Sequence, residues 1–308
     1  MKISQIDKFF VSIEIVPPLR GHSIDQIYKV LDKILPFDPA FISVTKHPPE
    51  IEYYEIDGHI LKLPKTKRPG TIGLVAAIKM KYNVNVVPHI TCAGNSKFEL
   101  EETLIDLDFL EIDNIFVVRG DKSKNVVKKD WQYDYAYQLV EQISNMNAGK
   151  YLYQNAKKTN FCIGVAGYPE KHFESPNILE DIKCLKKKID SGAKFVITQM
   201  FFDENKYISF VKKLREQNIN VPVIPGLKPI TKFKSALKLP GKFYIDIPEK
   251  LLKQLSEAKT EKEEFLVGVK YMLRMIENLV DFGIPGIHFF TMSKTDAIVE
   301  ILRNIQGC

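Results

Sequence analysis

Short apolar runs alternate with amphipathic stretches along the whole chain. Phe9 to Val16 is the first run, with Glu14 near its end and Pro17-Pro18 stopping it. Ser23 then caps a stretch to about Leu35 in which Ile24, Ile27, Leu31 and Ile34 recur at helical spacing. Phe41 to Thr45 reads as the second strand, Thr71 to Tyr82 as a helix, and Val84 to Thr91 as a third strand interrupted by Pro88. Ser96 caps a helix to about Phe109. Ile115 to Val118, β-branched and aromatic, is a fourth strand of the kind buried on both faces. Tyr133 to Met146 is helical and Phe161 to Ala166 is strand five. Asn177 caps a helix with Ile178, Ile182, Leu185 and Ile189 inward, and Gly192 ends it. Lys194 to Phe202 is strand six, with Gln199 inside it, and Tyr207 to Gln217 is helix. Val221 to Leu227 is strand seven, carrying Pro222 and Pro225. A helical stretch from Lys232 to Leu239, two helices between Pro248 and Phe282, strand eight from Gly286 to Met292 and a helix from Thr295 to Ile305 complete the pattern.

Eight strands alternating with helices predict one α/β domain over residues 1–308, a closed (β/α)8 TIM barrel. The alternative is an open doubly wound sheet, disfavoured because no G-x-G-x-x-G follows any strand. Two segments break the rhythm. Lys46 to Gly70 is polar, Pro-rich and too long for a simple connection, and reads as a functional loop. Asn147 to Asn160 reads as an inserted loop.

Composition narrows the class. The chain has 308 residues, 45% hydrophobic and 27% charged, in the range of a soluble globular protein. No apolar run approaches the length of a membrane span, and Met1 to Lys8 lacks the apolar core of a signal peptide, so a cytoplasmic protein with no membrane partner is expected. Cys92, Cys162, Cys184 and Cys308 form no C-x-x-C pair, which favours reduced thiols. The six histidines show no zinc-binding spacing, so no metal is expected. The formal charge of +6 comes from lysines, clustered at Lys122, Lys124, Lys128 and Lys129 and again at Lys186 to Lys188. These are solvated faces or the site of a small anion. No nucleic-acid partner is expected, because the basic runs lack interleaved aromatics.

One stretch joins strand pattern to chemistry. Ile115 to Val118 is followed at once by Arg119, Gly120 and Asp121: a cation, a free backbone and a carboxylate at the end of a buried strand. Glu14, Thr45, His89, Tyr168, Gln199 and His288 lie at or near the ends of other strands. In a barrel these ends meet at one mouth, where ligands bind.

These residues carry a resemblance. Ser12-Ile-Glu14-Ile-Val-Pro17-Pro18, Ser43-Val-Thr45, Pro88-His89-Ile-Thr91-Cys92, Arg119-Gly120-Asp121, Ala166-Gly-Tyr168-Pro169-Glu170-Lys-His172, Ile197-Thr198-Gln199-Met-Phe201-Phe202-Asp203, Pro225-Gly226-Leu-Lys-Pro229 and Gly286-Ile-His288-Phe289-Phe290-Thr291 occur in this order across nearly the whole chain. The chain resembles the methylenetetrahydrofolate reductases, in their short bacterial-type form. The resemblance implies a barrel with non-covalent FAD that works by a ping-pong scheme. NADH or NADPH reduces the flavin and leaves, and the folate then takes its place, yielding 5-methyltetrahydrofolate for methionine synthesis. It implies Glu14 as general acid and Asp121 as a charge beside the pterin and flavin. It implies Thr45, His89, Arg119, Gly120, Asp121, Ala136, Tyr168, His172, Asp181, Cys184, Lys187 and Lys188 as cofactor contacts. Gln199, Ser235, Leu239 and Lys294 would meet substrate. Three positions depart from the family pattern: Cys184 replaces an asparagine, Leu239 a phenylalanine and Lys294 an arginine. Lysine keeps the charge and loses the bidentate fork. A homo-oligomer is compatible with the sequence, which carries no signal that fixes one.

Other readings stay open on the residues alone. Glu14 between Ile13 and Ile15 suits an acid held neutral by apolar surroundings, or a buried carboxylate paired with a lysine. A barrel methyltransferase acting on homocysteine would need a thiolate-rich zinc site, which four scattered cysteines do not supply. A non-catalytic folate or flavin carrier would not need a poised acid, and turnover separates it.

Overall fold

The computed structural model describes residues 1–68, 70–120, 128–292 and 294–306. Eleven strands occur along them: β1 (Phe10–Ile15), β2 (Phe41–Val44), β3 (Glu50–Ile56), β4 (His59–Lys65), β5 (Val86–Thr91), β6 (Asn114–Val118), β7 (Cys162–Gly167), β8 (Phe195–Thr198), β9 (Val223–Ile224), β10 (Gly226–Leu227) and β11 (Gly286–Phe290). Nine of them form one parallel sheet in the order β10-β11-β1-β2-β5-β6-β7-β8-β9. The two ends of that order, β9 and β10, are halves of a single stave broken at Pro225. β9 pairs with β8 and β10 with β11, so the sheet returns on itself as an eight-position (β/α)8 barrel. Proline has no N–H to give the ladder, which is why the expected seventh strand divides there.

Alternation along each strand builds two cores. Ile13, Ile15, Ile42, Val44, Ile90, Ile115, Val117, Ile163, Val165, Val196 and Ile287 face outward into the layer beneath the helices. Phe10, Phe41, Val87, Phe116, Cys162, Phe195, Ile197 and Ile224 face inward and fill the barrel. The fit inside is tight: a Cβ on Gly164 would stand 2.2 Å from the Phe195 ring. Ile3 joins the interior cluster from below, its N–H donating to the buried Asn114 side chain at 2.9 Å, so the N-terminal end of the barrel is sealed. The other end is left for chemistry.

Helices follow the sequence closely. The Ser96 hydroxyl accepts from the Glu99 N–H, and the Glu99 carboxylate accepts from Ser96, a reciprocal capping box. The Asn177 side chain caps Ile178–Asp190 by accepting from the Glu180 N–H at 3.0 Å. The helices Glu249–Glu257 and Glu261–Phe282 are the expected pair. Boundaries move at several places, the helix expected from Lys232 to Leu239 running on to Phe243 and strand eight ending at Phe290. The helix expected from Tyr133 begins at Ala136, and that expected from Tyr207 begins at Glu204 behind an Asp203 cap. Strand six ends at Thr198, so Gln199 lies just past the strand and not inside it.

The larger correction is residues 46–70. The expected loop contains an antiparallel hairpin, β3 with β4, turning at Asp57-Gly58. Both turn residues have positive φ, 52° and 75°, the backbone a two-residue hairpin turn needs. One face carries Glu52, Tyr54 and Lys65 in contact, Lys65 Nζ being 2.8 Å from Glu52. Tyr53 and Ile60, on the other face, are exposed. No helix among the described residues is long and apolar enough to cross a membrane.

Candidate active site at the barrel mouth

Glu14 is the fifth residue of β1 and, by alternation from Phe10 and Ser12, points inward near the open end. Burial pushes its carboxyl up to about 8, with the Lys228 ammonium acting in the opposite sense. Its Oε2 lies 3.7 Å from Nε2 of His89, two strands away on β5. Burial drives His89 down to about 3, and the charge of His47 adds to this. At neutral pH both groups are therefore uncharged, and the contact is dipolar rather than an ion pair. His89 Nε2 is buried without a hydrogen-bond partner, an orphaned polar atom aimed at the mouth.

One layer deeper, His288 is fully enclosed and likewise depressed to about 3 by burial, with His89 adding to the effect. Ser12 Oγ donates to the Ile287 carbonyl at 3.1 Å, so its one proton is spent there and it accepts from His288 Nδ1 at 2.9 Å. Nε2 of the same ring is then the acceptor for Ser43 Oγ at 3.4 Å. The ring stacks on Phe41 with centroids 5.8 Å apart. Thr291 Oγ1 donates to the Glu14 carbonyl at 2.8 Å and ties β1 to the segment after β11.

Across the mouth the chemistry is cationic. Arg119, just past β6, pairs with Glu174 at 2.5 Å. Lys188, on the helix after β7, is half-buried, and desolvation pushes it down to about 8, with Asp181 opposing; its Nζ donates to the Ala166 carbonyl at 2.7 Å. Asp181, one face with Lys188 at i and i+7, accepts from Ser175 at 2.8 Å. His172 packs edge-on to Tyr168 at 4.8 Å and lies below its ordinary pKa, first through burial and then through Arg119. Gly120 has φ +88°, and a Cβ there would stand 2.8 Å from Ala93 Cβ, so the backbone comes close where a side chain has no room.

The structure thus brings Glu14, Thr45, His89, Arg119, Gly120, Tyr168, His172 and Gln199 to the ends of neighbouring strands and the turns after them, with Asp181 and Lys188 on the helix that follows β7. Thr45 Oγ1 is 3.3 Å from His47 Nε2, and Gln199 Oε1 accepts from Met200 at 3.0 Å. Ala136 opens the helix after β6. Cys184 is exposed, one helical turn before Lys188. Lys187 is turned about 100° from Lys188 and is exposed, away from the cluster. On the helix Phe233–Phe243, Ser235 is half-buried and Leu239 is buried in the layer outside the barrel. Lys294 is exposed, its N–H bonded to the Thr291 carbonyl. Asp121, Lys122 and Lys124 lie outside the described residues.

Lys228, Ser12, Ser43, Thr291 and Glu174 belong to the site and received no role from sequence. Ser12 was readable as the inward neighbour of Glu14 at i−2, and Lys228 as the continuation of Ile224 and Gly226. Glu174 carries no periodic signal. The donor set fits a flat, phosphate-bearing cofactor: half-buried Lys188 and Arg119 for anionic oxygens, and the Gly120 backbone and orphaned His89 nitrogen for polar edges.

A sealed barrel whose open end sets a neutral carboxylic acid against a cationic rim is the architecture of a small-molecule enzyme of the parallel α/β class. Sequence comparison makes this specific. The family model for methylenetetrahydrofolate reductase matches residues 2–306, and the chain belongs to that family. It is 30% identical over 306 residues to methylenetetrahydrofolate reductase 1 of Schizosaccharomyces pombe, covering 97% of this chain and 46% of that protein. It is 30% identical over 297 residues to 5,10-methylenetetrahydrofolate reductase of Buchnera aphidicola subsp. Schizaphis graminum, covering 96% and 91%. To the Pectobacterium carotovorum protein of the same name it is 28% identical, covering 96% and 89%. The chain therefore spans about half the length of the fungal relative and nearly all of the bacterial ones. Among solved structures, a Clostridium thermocellum protein described as binding two copies of 5-methyl-5,6,7,8-tetrahydrofolic acid superposes with a TM-score of 0.61 at 15% identity, covering 98% of this chain and 96% of that one. That likeness concerns the fold.

Proposed function

We propose that the chain reduces 5,10-methylenetetrahydrofolate to 5-methyltetrahydrofolate with NADH or NADPH, through FAD held without a covalent bond. The observation that carries this reading is Glu14, a carboxyl raised to about 8 by burial at the open end of the barrel. When bound, FAD would supply the hydride chemistry that links the nicotinamide nucleotide to the folate. Every other contribution falls to the protein.

Glu14 gives its proton to the folate nitrogen that must leave when the five-membered ring opens to an iminium. An unprotonated amine leaves poorly, and a buried acid still protonated at neutral pH meets the need. Neutral His89 beside Glu14 adds no charge that would drain its proton. Asp121 stabilises the cationic iminium. Arg119, His172 and Lys188 would hold the diphosphate, while Thr45, His89, Gly120, Ala136, Tyr168, Asp181 and Cys184 would complete the cofactor surface; Lys187, turned away from that cluster, takes no part in this reading. Gln199 serves folate and nicotinamide in turn, and Ser235, Leu239 and Lys294 receive the rest of the substrate. With one end sealed by Ile3, both substrates use the same opening, which suits a ping-pong order. The product would supply methyl groups for methionine synthesis.

The first test is the absorbance spectrum of the pure protein. A yellow protein that releases FAD on heat or acid, and whose bleached flavin is reoxidised by methylenetetrahydrofolate, is expected. A colourless protein that added FAD does not reconstitute would sink the proposal; flavin binding without turnover would leave a carrier.

A further inference from the structure

The stave broken at Pro225 ends beside the acid. Ile224 lies in the barrel interior and Leu227 in the layer beneath the helices, so the alternation turns Gly226 and Lys228 inward. A Cβ on Gly226 would meet the Phe290 ring at 2.6 Å, consistent with that direction. Leu227 stands opposite Phe289 in the β10–β11 ladder, so Lys228 comes level with Phe290, and Phe290 is opposite Glu14 in the β11–β1 ladder. Lys228 and Glu14 thus occupy one layer of the mouth, two strand spacings or about 10 Å apart at the backbone. A lysine side chain covers most of that gap.

Lys228 is half-buried, and among the described residues its ammonium has no hydrogen bond and no ion-pair partner. Lys294 and Lys242 press on it with like charge, and Glu14 is the one group acting on it with the opposite sign. The described groups that face Glu14 from the other walls are His89 on β5, with His47 behind it, and His288 on β11. The two buried imidazoles are neutral. Lys228 is therefore the cation, among the described residues, whose field bears on Glu14.

We infer that Lys228 is a positioning residue for proton transfer, its ammonium offsetting the charge that appears on Glu14 when the carboxyl gives up its proton. This rests on the reading of Glu14 as the acid. In the step, the Glu14 O–H bond breaks and an N–H bond forms on the leaving nitrogen; no electrons change hands. Before it, a neutral acid faces an ammonium. After it, a carboxylate faces the same ammonium. A buried carboxylate with no counter-charge is far more costly than a paired one, so the cation lowers the barrier only as charge develops. Burial pushes Lys228 down to about 8 and Glu14 up to about 8, so near neutral pH each is mainly in the form the step requires.

The test is an infrared titration of the flavin-loaded protein, with the Glu14 carboxyl band identified by its loss in Glu14→Gln. In Lys228→Met the midpoint of that band should rise by about half to one pH unit, because the carboxylate has lost its counter-charge. In Lys228→Arg, which keeps the charge, it should stay within about 0.3 of the parent value. Stopped-flow reoxidation by methylenetetrahydrofolate at pH 7 should slow about tenfold in Lys228→Met and recover to within about threefold in Lys228→Arg. A midpoint unmoved in Lys228→Met, or moved equally in both variants, overturns the inference whatever the activity. A midpoint that moves as expected in a protein that folate never reoxidises supports the coupling and overturns the function instead.

Discussion

At Glu14 two physical effects oppose each other: burial favours the neutral carboxyl, and the Lys228 field favours the carboxylate. Burial wins, which leaves a proton to give at pH 7. The half-reaction with the nicotinamide nucleotide opens no ring and needs no acid there. Glu14→Gln should therefore be reduced at a near-normal rate while its reoxidation by folate falls by about 10²–10⁴-fold. Stopped-flow flavin absorbance with each substrate in turn measures both. Equal losses in the two halves would make Glu14 a structural residue. In the parent protein the folate half should decline as pH rises through about 8, since it uses the protonated form, with the nicotinamide half lacking that limb. Lys188 gives a contrasting case. Its buried ammonium contacts the Ala166 carbonyl on the cationic side of the mouth. Lys188→Ala should weaken FAD binding, read by fluorescence titration, with little change in turnover once FAD saturates.

Among the elements, the broken stave tolerates little change. A Cβ on Gly226 would lie 2.1 Å from the Thr198 carbonyl and 2.6 Å from the Phe290 ring, with no flexible atom to give way on the backbone side. Gly226→Ala should cost at least about 3 kcal/mol in urea unfolding. The β3–β4 hairpin is the opposite. Its ladder is internal and its outer face is exposed, so replacing residues 50–65 by a short Gly-Ser linker should leave the thermal midpoint within about 2 °C. These two elements also mark how far the sequence could be read. The ring of strands was legible because apolar runs, caps and breakers repeat with a fixed rhythm, and Glu14, His89 and Arg119 sat at the ends of those runs. The hairpin was missed although Asp57-Gly58 is its signature, because its flanks mix charge with apolar residues. Lys228 was passed over because it sits inside a familiar-looking motif, where only the inward alternation from Ile224 gives its direction. Glu174 was not legible: it meets Arg119 through a turn whose course no periodicity specifies.

For the molecule as a whole, neutral groups buried at the mouth make stability depend on pH in two directions. His89 and His288 are held near 3 in the fold against an ordinary 6.5, so the unfolded chain binds their protons first and stability is lost as pH falls below 6.5. Glu14 is held near 8 against an ordinary 4.5, so the fold binds its proton more tightly and stability is lost as pH rises from 4.5 through 8. Two histidines outweigh one carboxyl below 6.5, and the carboxyl dominates above it until Lys188 and Lys228, held near 8 against an ordinary 10.5, act in the opposite sense close to pH 8. The thermal midpoint of the cofactor-free protein should peak near pH 6.5 and fall on both sides. Glu14→Gln should flatten the alkaline side and steepen the acid side; scanning calorimetry from pH 5 to 8 measures both.

The divided stave also gives the barrel a seam. Seven staves are held by neighbours on both sides, whereas the eighth gives two residues to one neighbour and two to the other, with Pro225 donating nothing between them. The Gly226 N–H reaches across to the Thr198 hydroxyl at 2.9 Å, a single stitch over the gap. Deuterium should enter the Ile224 and Gly226 amides sooner than those of Ile42 and Val117, through an opening far smaller than unfolding. Thr198→Val, which cuts the stitch, should speed exchange at Gly226 alone. Any ligand held both by Gln199, just past β8, and by Lys228, just past β10, ties the two lips of this seam together, so a substrate should slow exchange on the side of the barrel where it reacts.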